Sequence, residues 1–443
     1  MHRFVAATSV AAMLAGLATA AHSQPSTPAT PTIGSPILDQ RVGPPTPTPS
    51  PQALRQPPRT GPIPDRITLV QALDEASARS PAVIAAQAEV EAAEARARQA
   101  GYRQNPELSM QVENFAGTGE LRGLRSTETT VSVNQRLDLG GRRPARVAAA
   151  RADIDLQRLR LAVARAELAT SVRQEFARAI AARERLDQAD ENVELTKELA
   201  RVAGLLVEAG REPPLRSLRA RSALAQAQAQ QEAARADELA ARTTLASLLG
   251  SVMPIEEAVH GPLDVSPSDV SLERSLEVRL ASAEVLAARA ALEVQLAERR
   301  LDPAVGAGVR HVRETGDVGF VAGLSMPLRI FDQNQGNISA ARAAVSAAEA
   351  RQRASLIAVT SRGRNAISAV EAAKRRLSAL QKSALPESKE ALRLAQQSWT
   401  EGRATLVELL DAQNSYLSTQ AALTEAELAL AIATAELGRI AAQ

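Results

Sequence analysis

Residues 105–115 read NPELSMQVENF and residues 130–137 read TVSVNQRL, and the alternation in these two runs decides the fold class. In the first, Leu108, Met110 and Val112 point one way, while Glu107, Ser109, Gln111 and Glu113 point the other. In the second, Val131, Val133 and Leu137 share one face, and Thr130, Ser132, Asn134 and Arg136 take the opposite one. A period of two marks a strand with one apolar and one polar face. Two further runs of this kind follow at 305–312 and 318–328; in the latter Phe320, Ala322, Leu324, Met326 and Leu328 share a face. Each run is about 9–11 residues, the length that crosses a bilayer as a tilted strand. The apolar faces, carried by Leu108, Met110, Val112, Val131, Val133, Phe320, Leu324 and Met326, are therefore candidates for contact with lipid, and the polar faces suit a water-filled lumen.

Around the strands the pattern is helical. A short helix begins at Ile67-Thr68-Leu69 and is broken at Ser80-Pro81; a second runs to Gly101. After Gly140-Gly141 a helix is expected without interruption to about Ala209, with Val147, Ile154, Leu161 and Leu168 spaced by seven, the signature of a left-handed coiled coil. Such a helix would be roughly 100 Å long. Gly210 and Pro213-Pro214 end it, and a return helix follows to Leu249. The second half repeats the plan: a helix over 271–301, two strands, a long helix from Gly336 to Thr400, a break at Gly402 and a return helix to about Ile440. Leu137-Asp138-Leu139 aligns with Leu328-Arg329-Ile330, and Gly210-Arg211 with Gly402-Arg403, at nearly the same offset, which points to internal duplication. The expected fold is thus mainly α with a small β part, built from long coiled-coil helices and four membrane strands per chain.

Composition agrees and excludes other classes. Hydrophobic residues are 45% but aromatics only 2%, so packing must rely on Ala and Leu in thin helical layers rather than on a bulky core. There is no cysteine, hence no disulfide, no thiolate ligand and no lipid anchor. The 52 Lys+Arg and 50 Asp+Glu nearly cancel, which gives no basis for nucleic-acid binding. No run of about 20 apolar residues follows the N-terminus, so no transmembrane helix is expected. Residues 1–23 read as a secretory signal, with His2-Arg3 before an apolar stretch and Ala18-Thr19-Ala20 or Ala21-His22-Ser23 as cleavage sites. Residues 24–65 are rich in proline and read as an extended segment, a linker or a strap along the surface. The first repeat then spans 66–250 and the second 251–443.

Four strands cannot close a barrel, and open edges in lipid would be unsatisfied. Membrane-spanning strands here therefore require association: two chains supply eight strands, three supply twelve.

Several segments carry a resemblance. Ile67-Thr68-Leu69-Val70-Gln71-Ala72-Leu73 with Ser80-Pro81, Gln135-Arg136-Leu137-Asp138-Leu139-Gly140-Gly141-Arg142, and Gly402 through Asp411-Ala412-Gln413 resemble the opening, the strand-to-helix corner and the second helical turn of the TolC-like outer-membrane efflux family. Asn105-Pro106-Glu107-Leu108, Val112-Glu113-Asn114-Phe115 and the run from Pro327 to Ile338 resemble its cobalt–zinc–cadmium (CzcC-like) branch. The resemblance implies a homotrimer with a twelve-stranded barrel in the outer membrane and an α-helical barrel in the periplasm. It further implies a periplasmic adaptor and a proton-driven inner-membrane pump as partners, and no catalytic role. One departure is visible: six residues after Gly402 stands Glu408, but six after Gly210 stands Arg216, beyond Pro213-Pro214.

Catalytic and metal chemistry find little support. Beyond the signal only His260 and His311 remain, neither with carboxylates at ligand spacing, and Gly140-Gly141 lacks the Lys of a phosphate loop. No cofactor is expected. Glu401, Glu408 and Asp411 surround the second helical turn, and in a threefold assembly each would form a ring; such rings select cations. They are the candidate gate, against the plain alternative of a solvated helix tip. Gly210, Arg211, Gly402 and Arg403 mark the two tips and are the candidate adaptor-docking positions. The rival architecture, a periplasmic adaptor or other coiled-coil scaffold, would carry one helical hairpin between β-rich domains, whereas this chain has two hairpins and four strands.

Overall fold

The computed structural model describes residue 59 and residues 61–259 and 271–442. The segment read as a signal, nearly all of the proline-rich segment and His260 lie outside these. In chain order the elements are β1 (Arg66–Ile67), α1 (Leu69–Arg79), α2 (Pro81–Gly101), β2 (Glu107–Glu113), β3 (Glu128–Arg136), α3 (Arg142–Glu208) and α4 (Pro214–Leu248). There follow β4 (Glu257–Ala258), α5 (Leu276–Glu298), β5 (Ala304–Val312), β6 (Val318–Ser325), α6 (Gln335–Ala379), α7 (Leu385–Thr400) and α8 (Leu406–Ala441). The order helix, strand, strand, long helix, return helix thus occurs twice, and all of it belongs to one compact unit.

Local chemistry sets the boundaries. Thr68 caps α1 in a reciprocal box with Gln71: the Gln71 N–H donates to the Thr68 hydroxyl at 3.4 Å and the Thr68 N–H to Oε1 of Gln71 at 3.0 Å. Pro81 opens α2 in the first turn, where its missing N–H costs nothing. The 67-residue α3 follows Gly141, its N-cap, whose φ of 73° suits glycine, while a Cβ on Gly140 would stand 3.1 Å from Cβ of Arg300. The Gly-Gly pair therefore makes the strand-to-helix corner, one residue for conformation and one for close approach.

Two expectations needed correction. The long helix of the second half is not regular: a π-turn at Leu380–Ala384 separates α6 from α7. Pro386 explains it, since it cannot donate to the carbonyl of residue 382 and its ring would clash there, so the helix takes up an extra residue. The last strand stops at Ser325 rather than 328, because Pro327 cannot donate to a ladder; Met326 lies just beyond the strand.

The helices form thin layers. Along α3, Val147, Ile154, Leu161 and Leu168 are all half-buried. Phe176 is the largest fully buried side chain and sits with Ile67, Val172, Leu245 and Leu249 in one cluster. A second cluster joins Leu199, Leu392, Leu406, Leu409 and Tyr416 near the second tip, and Trp399 packs against it. A third gathers Val359, Val370, Leu437 and Ile440.

Candidate functional site

The four long strands form one antiparallel sheet in the order β2-β3-β5-β6. The register stacks like faces across the sheet: Leu108 opposite Val133, Met110 opposite Val131, Val131 opposite Val309, Val309 opposite Phe320, and Val305 opposite Leu324. One face is thus mainly apolar and turned to the surroundings; Leu108 is 74% exposed and Phe320 92%. Val112, Val131, Val133 and Leu324 are exposed on that face too, as is Met326 beyond the end of β6. A helix of this protein could not take their place in a membrane, since no described helix is long and apolar enough to cross one.

The other face is polar over β2 and β3. Ser109 Oγ lies 2.7 Å from Ser132 Oγ, and Nδ2 of Asn134 donates to Ser109 at 3.1 Å. The neighbouring strand accommodates these side chains with glycines: a Cβ on Gly306 would run into the Asn134 side chain, and one on Gly308 into the Val131 carbonyl. Farther along, Arg310 donates to Glu128 and Thr130, both at 3.1 Å, with Glu113 at 3.7 Å. His311 sits on the apolar side opposite Thr129 and Val318, and the described residues contain no group of donors that could hold a metal. Neither outer strand has a partner on its free edge among the described residues.

Where the sheet meets the helices, the two halves interlock. Arg142 reaches Asp302 at 3.1 Å and donates to the carbonyls of Glu298 and Arg300; Arg300 returns a bond to the Gly140 carbonyl at 3.2 Å.

The two tips share one device. Gly210 and Gly402 both have positive φ, and in each the following Arg N–H bonds back to a carbonyl five residues earlier: Arg211 to Leu206 at 2.9 Å, Arg403 to Ser398 at 2.8 Å. This is the Schellman closure of a helix. The return helices begin differently. At the first tip Pro214 starts α4; at the second, Thr405 and Glu408 form a capping box, the Thr405 N–H donating to Glu408 at 2.6 Å.

That box separates the three carboxylates read as a gate. Glu408 is occupied: hydrogen bonds from the Thr405 backbone and hydroxyl hold its carboxyl below the ordinary Glu range. Glu401 pairs with Arg403 and accepts from Gln397. Asp411 is exposed, with no hydrogen bond or ion pair among the described residues. The Arg211 side chain is likewise exposed and unpartnered there.

Sequence reading quoted Gln413 only as part of the second-turn motif and gave it no role of its own. It is buried between α8 and α3, donating to Asn192 at 2.9 Å and Thr196 at 3.2 Å. The signal was available: Leu406, Leu409 and Tyr416 line one stripe, and Gln413 is the polar residue in it. The Arg142–Asp302 and Arg310 clusters left no such signal, because their partners come from distant parts of the chain.

The comparisons point one way. The family model described as "Outer membrane efflux protein" matches residues 72–251 and 268–443. The chain is 31% identical over 306 residues to the nickel-cobalt-cadmium resistance protein NccC of Alcaligenes xylosoxydans xylosoxydans, covering 68% of this chain and 69% of that protein. It is 29% identical to the cobalt-zinc-cadmium resistance protein CzcC of Cupriavidus metallidurans, covering 79% and 84%. Among solved structures, a membrane protein from Pseudomonas aeruginosa superposes with a TM-score of 0.73 at 21% identity, over 84% of this chain and 90% of that one. The outer membrane protein VceC of Vibrio cholerae gives 0.70 at 19%, over 84% and 96%. With a sheet apolar on one face and long helical hairpins beside it, the chain belongs to the outer membrane efflux protein family.

Proposed function

We propose that this efflux duct of the outer membrane works as a homotrimer whose three sheets close a twelve-stranded barrel, with the helices continuing the passage into the periplasm. The observation that carries this is the sheet itself: four strands, two unpaired edges, one apolar face and one polar face. In lipid the β2 and β6 edges must be paired, and a second copy offers the complementary edge. Residues 1–23 direct export, residues 24–65 are the proline-rich segment, and 66–250 and 251–443 are the two repeats. With no cysteine in the chain, no lipid anchor is attached.

The duct conducts heavy-metal cations delivered by a proton-driven inner-membrane pump through a periplasmic adaptor; the similarity to NccC and CzcC supports this substrate class. It performs no chemistry of its own and needs no cofactor. Gly210, Arg211, Gly402 and Arg403 shape the tips where the adaptor docks. Of the three candidate gate carboxylates, Asp411 is the one free to face a passing cation.

The test is co-expression with a matching pump and adaptor in a strain lacking its own duct, scored by metal tolerance and by trimer recovery from outer membranes in mild detergent. Recovery as a monomer outside the membrane would sink the reading; a normal trimer with no gain in metal tolerance would remove the metal substrate alone.

A further inference from the structure

We propose that the cleft where α2 turns into β2 binds a phosphate-bearing anion. The cleft has a volume of about 740 Å³ and is lined by Arg96, Arg103 and Arg146 together with Gln99, Tyr102 and Asn105. Three guanidinium groups thus converge on one opening, and no carboxylate lines it. Arg96 is ion-paired to Asp153 at 3.2 Å, which leaves two uncompensated positive charges. The side chains of Arg103 and Arg146 have no hydrogen bond or ion pair among the described residues.

The ordinary use for arginines at this place is to bond the free carbonyls at the end of a helix. Neither side chain does so here. Elsewhere on the same two helices the charges are matched across the interface, as Arg158 with Glu94 at 2.9 Å shows. The corner is therefore an exception to the pairing that surrounds it. Guanidinium groups present planar donor forks suited to two phosphate oxygens at once, and the amides of Gln99 and Asn105 and the Tyr102 hydroxyl add neutral donors. A carboxylate ligand would use one such fork; phosphate, with more oxygens and up to two charges, uses both.

Two sources share this chemistry. Tyr102 is exposed and stands five residues before β2, which by its apolar face borders lipid. A phospholipid headgroup at the membrane boundary is one source, with the Tyr102 ring at the level interfacial aromatics prefer. Free phosphate in the surrounding water is the other. The lipid source rests on the membrane position of β2; the phosphate chemistry does not.

The experiment uses the full-length protein in two arms. In one, it is placed in nanodiscs of phosphatidylethanolamine and phosphatidylglycerol, extracted into a maltoside detergent, and retained phospholipid is counted by native mass spectrometry. In the other, delipidated protein is titrated calorimetrically with inorganic phosphate. The double variant Arg103→Gln/Arg146→Gln should lose the bound lipid or weaken phosphate binding about tenfold or more. Arg151→Gln, an exposed arginine on α3 outside the cleft, should change neither. Should the double variant fail to assemble, Arg103→Lys keeps the charge but loses the fork and should weaken retention by a smaller factor. Lipid retained with no phosphate heat identifies the headgroup; phosphate heat without retained lipid identifies the free anion. Binding in neither arm, or binding unchanged in the arginine variants, overturns the proposal, and a soluble monomer that still binds phosphate would overturn the membrane reading alone.

Discussion

Arg142 and Asp302 stand 160 positions apart in the chain and form an ion pair of 3.1 Å with side-chain exposures of only 13% and 8%. One opens the long helix after β3; the other closes the link from α5 into β5. Their pairing fixes the two strand-to-helix corners to each other, and the bonds from Arg142 to the Glu298 and Arg300 carbonyls leave the guanidinium little freedom. Replacing Asp302 with Ala would leave the buried guanidinium only the longer pair with the more exposed Glu298, at 3.7 Å. The expected cost is below the about 3–5 kcal/mol of a wholly unpaired buried charge, read as a lower unfolding midpoint of the purified protein. Arg142→Met with Asp302→Leu, which removes both charges, should recover much of it. If the single variant unfolded like the native protein, the corner would not be a structural lock.

The sheet faces should respond unequally to charge. Met110→Arg and Val131→Arg, on the apolar face, should each cost roughly 2–4 kcal/mol near the bilayer midplane. Ser109→Arg or Ser132→Arg, on the polar face, should be far milder in folding into lipid vesicles. Equal tolerance on both faces would show that the apolar side does not meet lipid.

Gly308 is held by contact rather than by conformation. A Cβ there would fall 2.6 Å from Cβ of Ser132 as well as against the Val131 carbonyl, both parts of a paired strand that cannot yield. Gly308→Ala should therefore reduce trimer yield severalfold, whereas Gly323→Ala, on an open stretch of β6, should not. Matching yields would mean that β5 can shift away from β3 without loss.

Glu277 ties α5 to α6 and to the end of α8 through Arg362 and Arg439, the latter at 2.6 Å. Burial pushes its carboxyl up, but the hydrogen bonds and charges of the two arginines outweigh this and hold it below the usual Glu range. A carboxyl depressed in the folded state adds stability that is complete above its unfolded value, near 4.3, and is lost as the pH falls through the folded value. Acid unfolding of the native protein should thus steepen below about pH 4.5. Glu277→Gln should be less stable at neutral pH and should flatten that acid limb. A variant with the same slope as the native protein would rule out this clasp as its source.

The tip carboxylates should separate by function. Asp411→Asn should lower cation preference in single-channel recordings while leaving the trimer's melting temperature within about 1 °C. Glu408→Gln keeps the reciprocal box, as Gln71 does in α1, but removes the negative charge from the first turn of α8, and should lower stability only slightly with conductance little changed. Gly402→Val forces a β-branched residue into a left-handed conformation, at about 1–3 kcal/mol, and should reduce export more than it reduces trimer recovery. If Asp411→Asn left ion preference intact, the free carboxylate would not be a gate.

Strand alternation, the heptad of Val147, Ile154, Leu161 and Leu168, and the glycines at 210 and 402 made the helices, strands and tips legible from sequence, because each depends on residues close together in the chain. The π-turn before Pro386 was legible in principle, since proline's missing N–H acts within one helical turn. Partner choice across the fold was not. At the second tip the partners are local, Arg403 two residues from Glu401 and Thr405 three before Glu408 with capping-box spacing, so the bonding there was legible as well. By contrast, nothing local announces that Arg142 will meet Asp302, that Gly308 will be covered by Ser132, or that Arg103 and Arg146 will converge without partners. Sequence by itself determined the local geometry, the amphipathic faces and the pairs within one helical turn; the tertiary structure alone decided which charges are satisfied from distant parts of the chain, because electrostatic and steric pairing act through distance in space rather than distance along the chain.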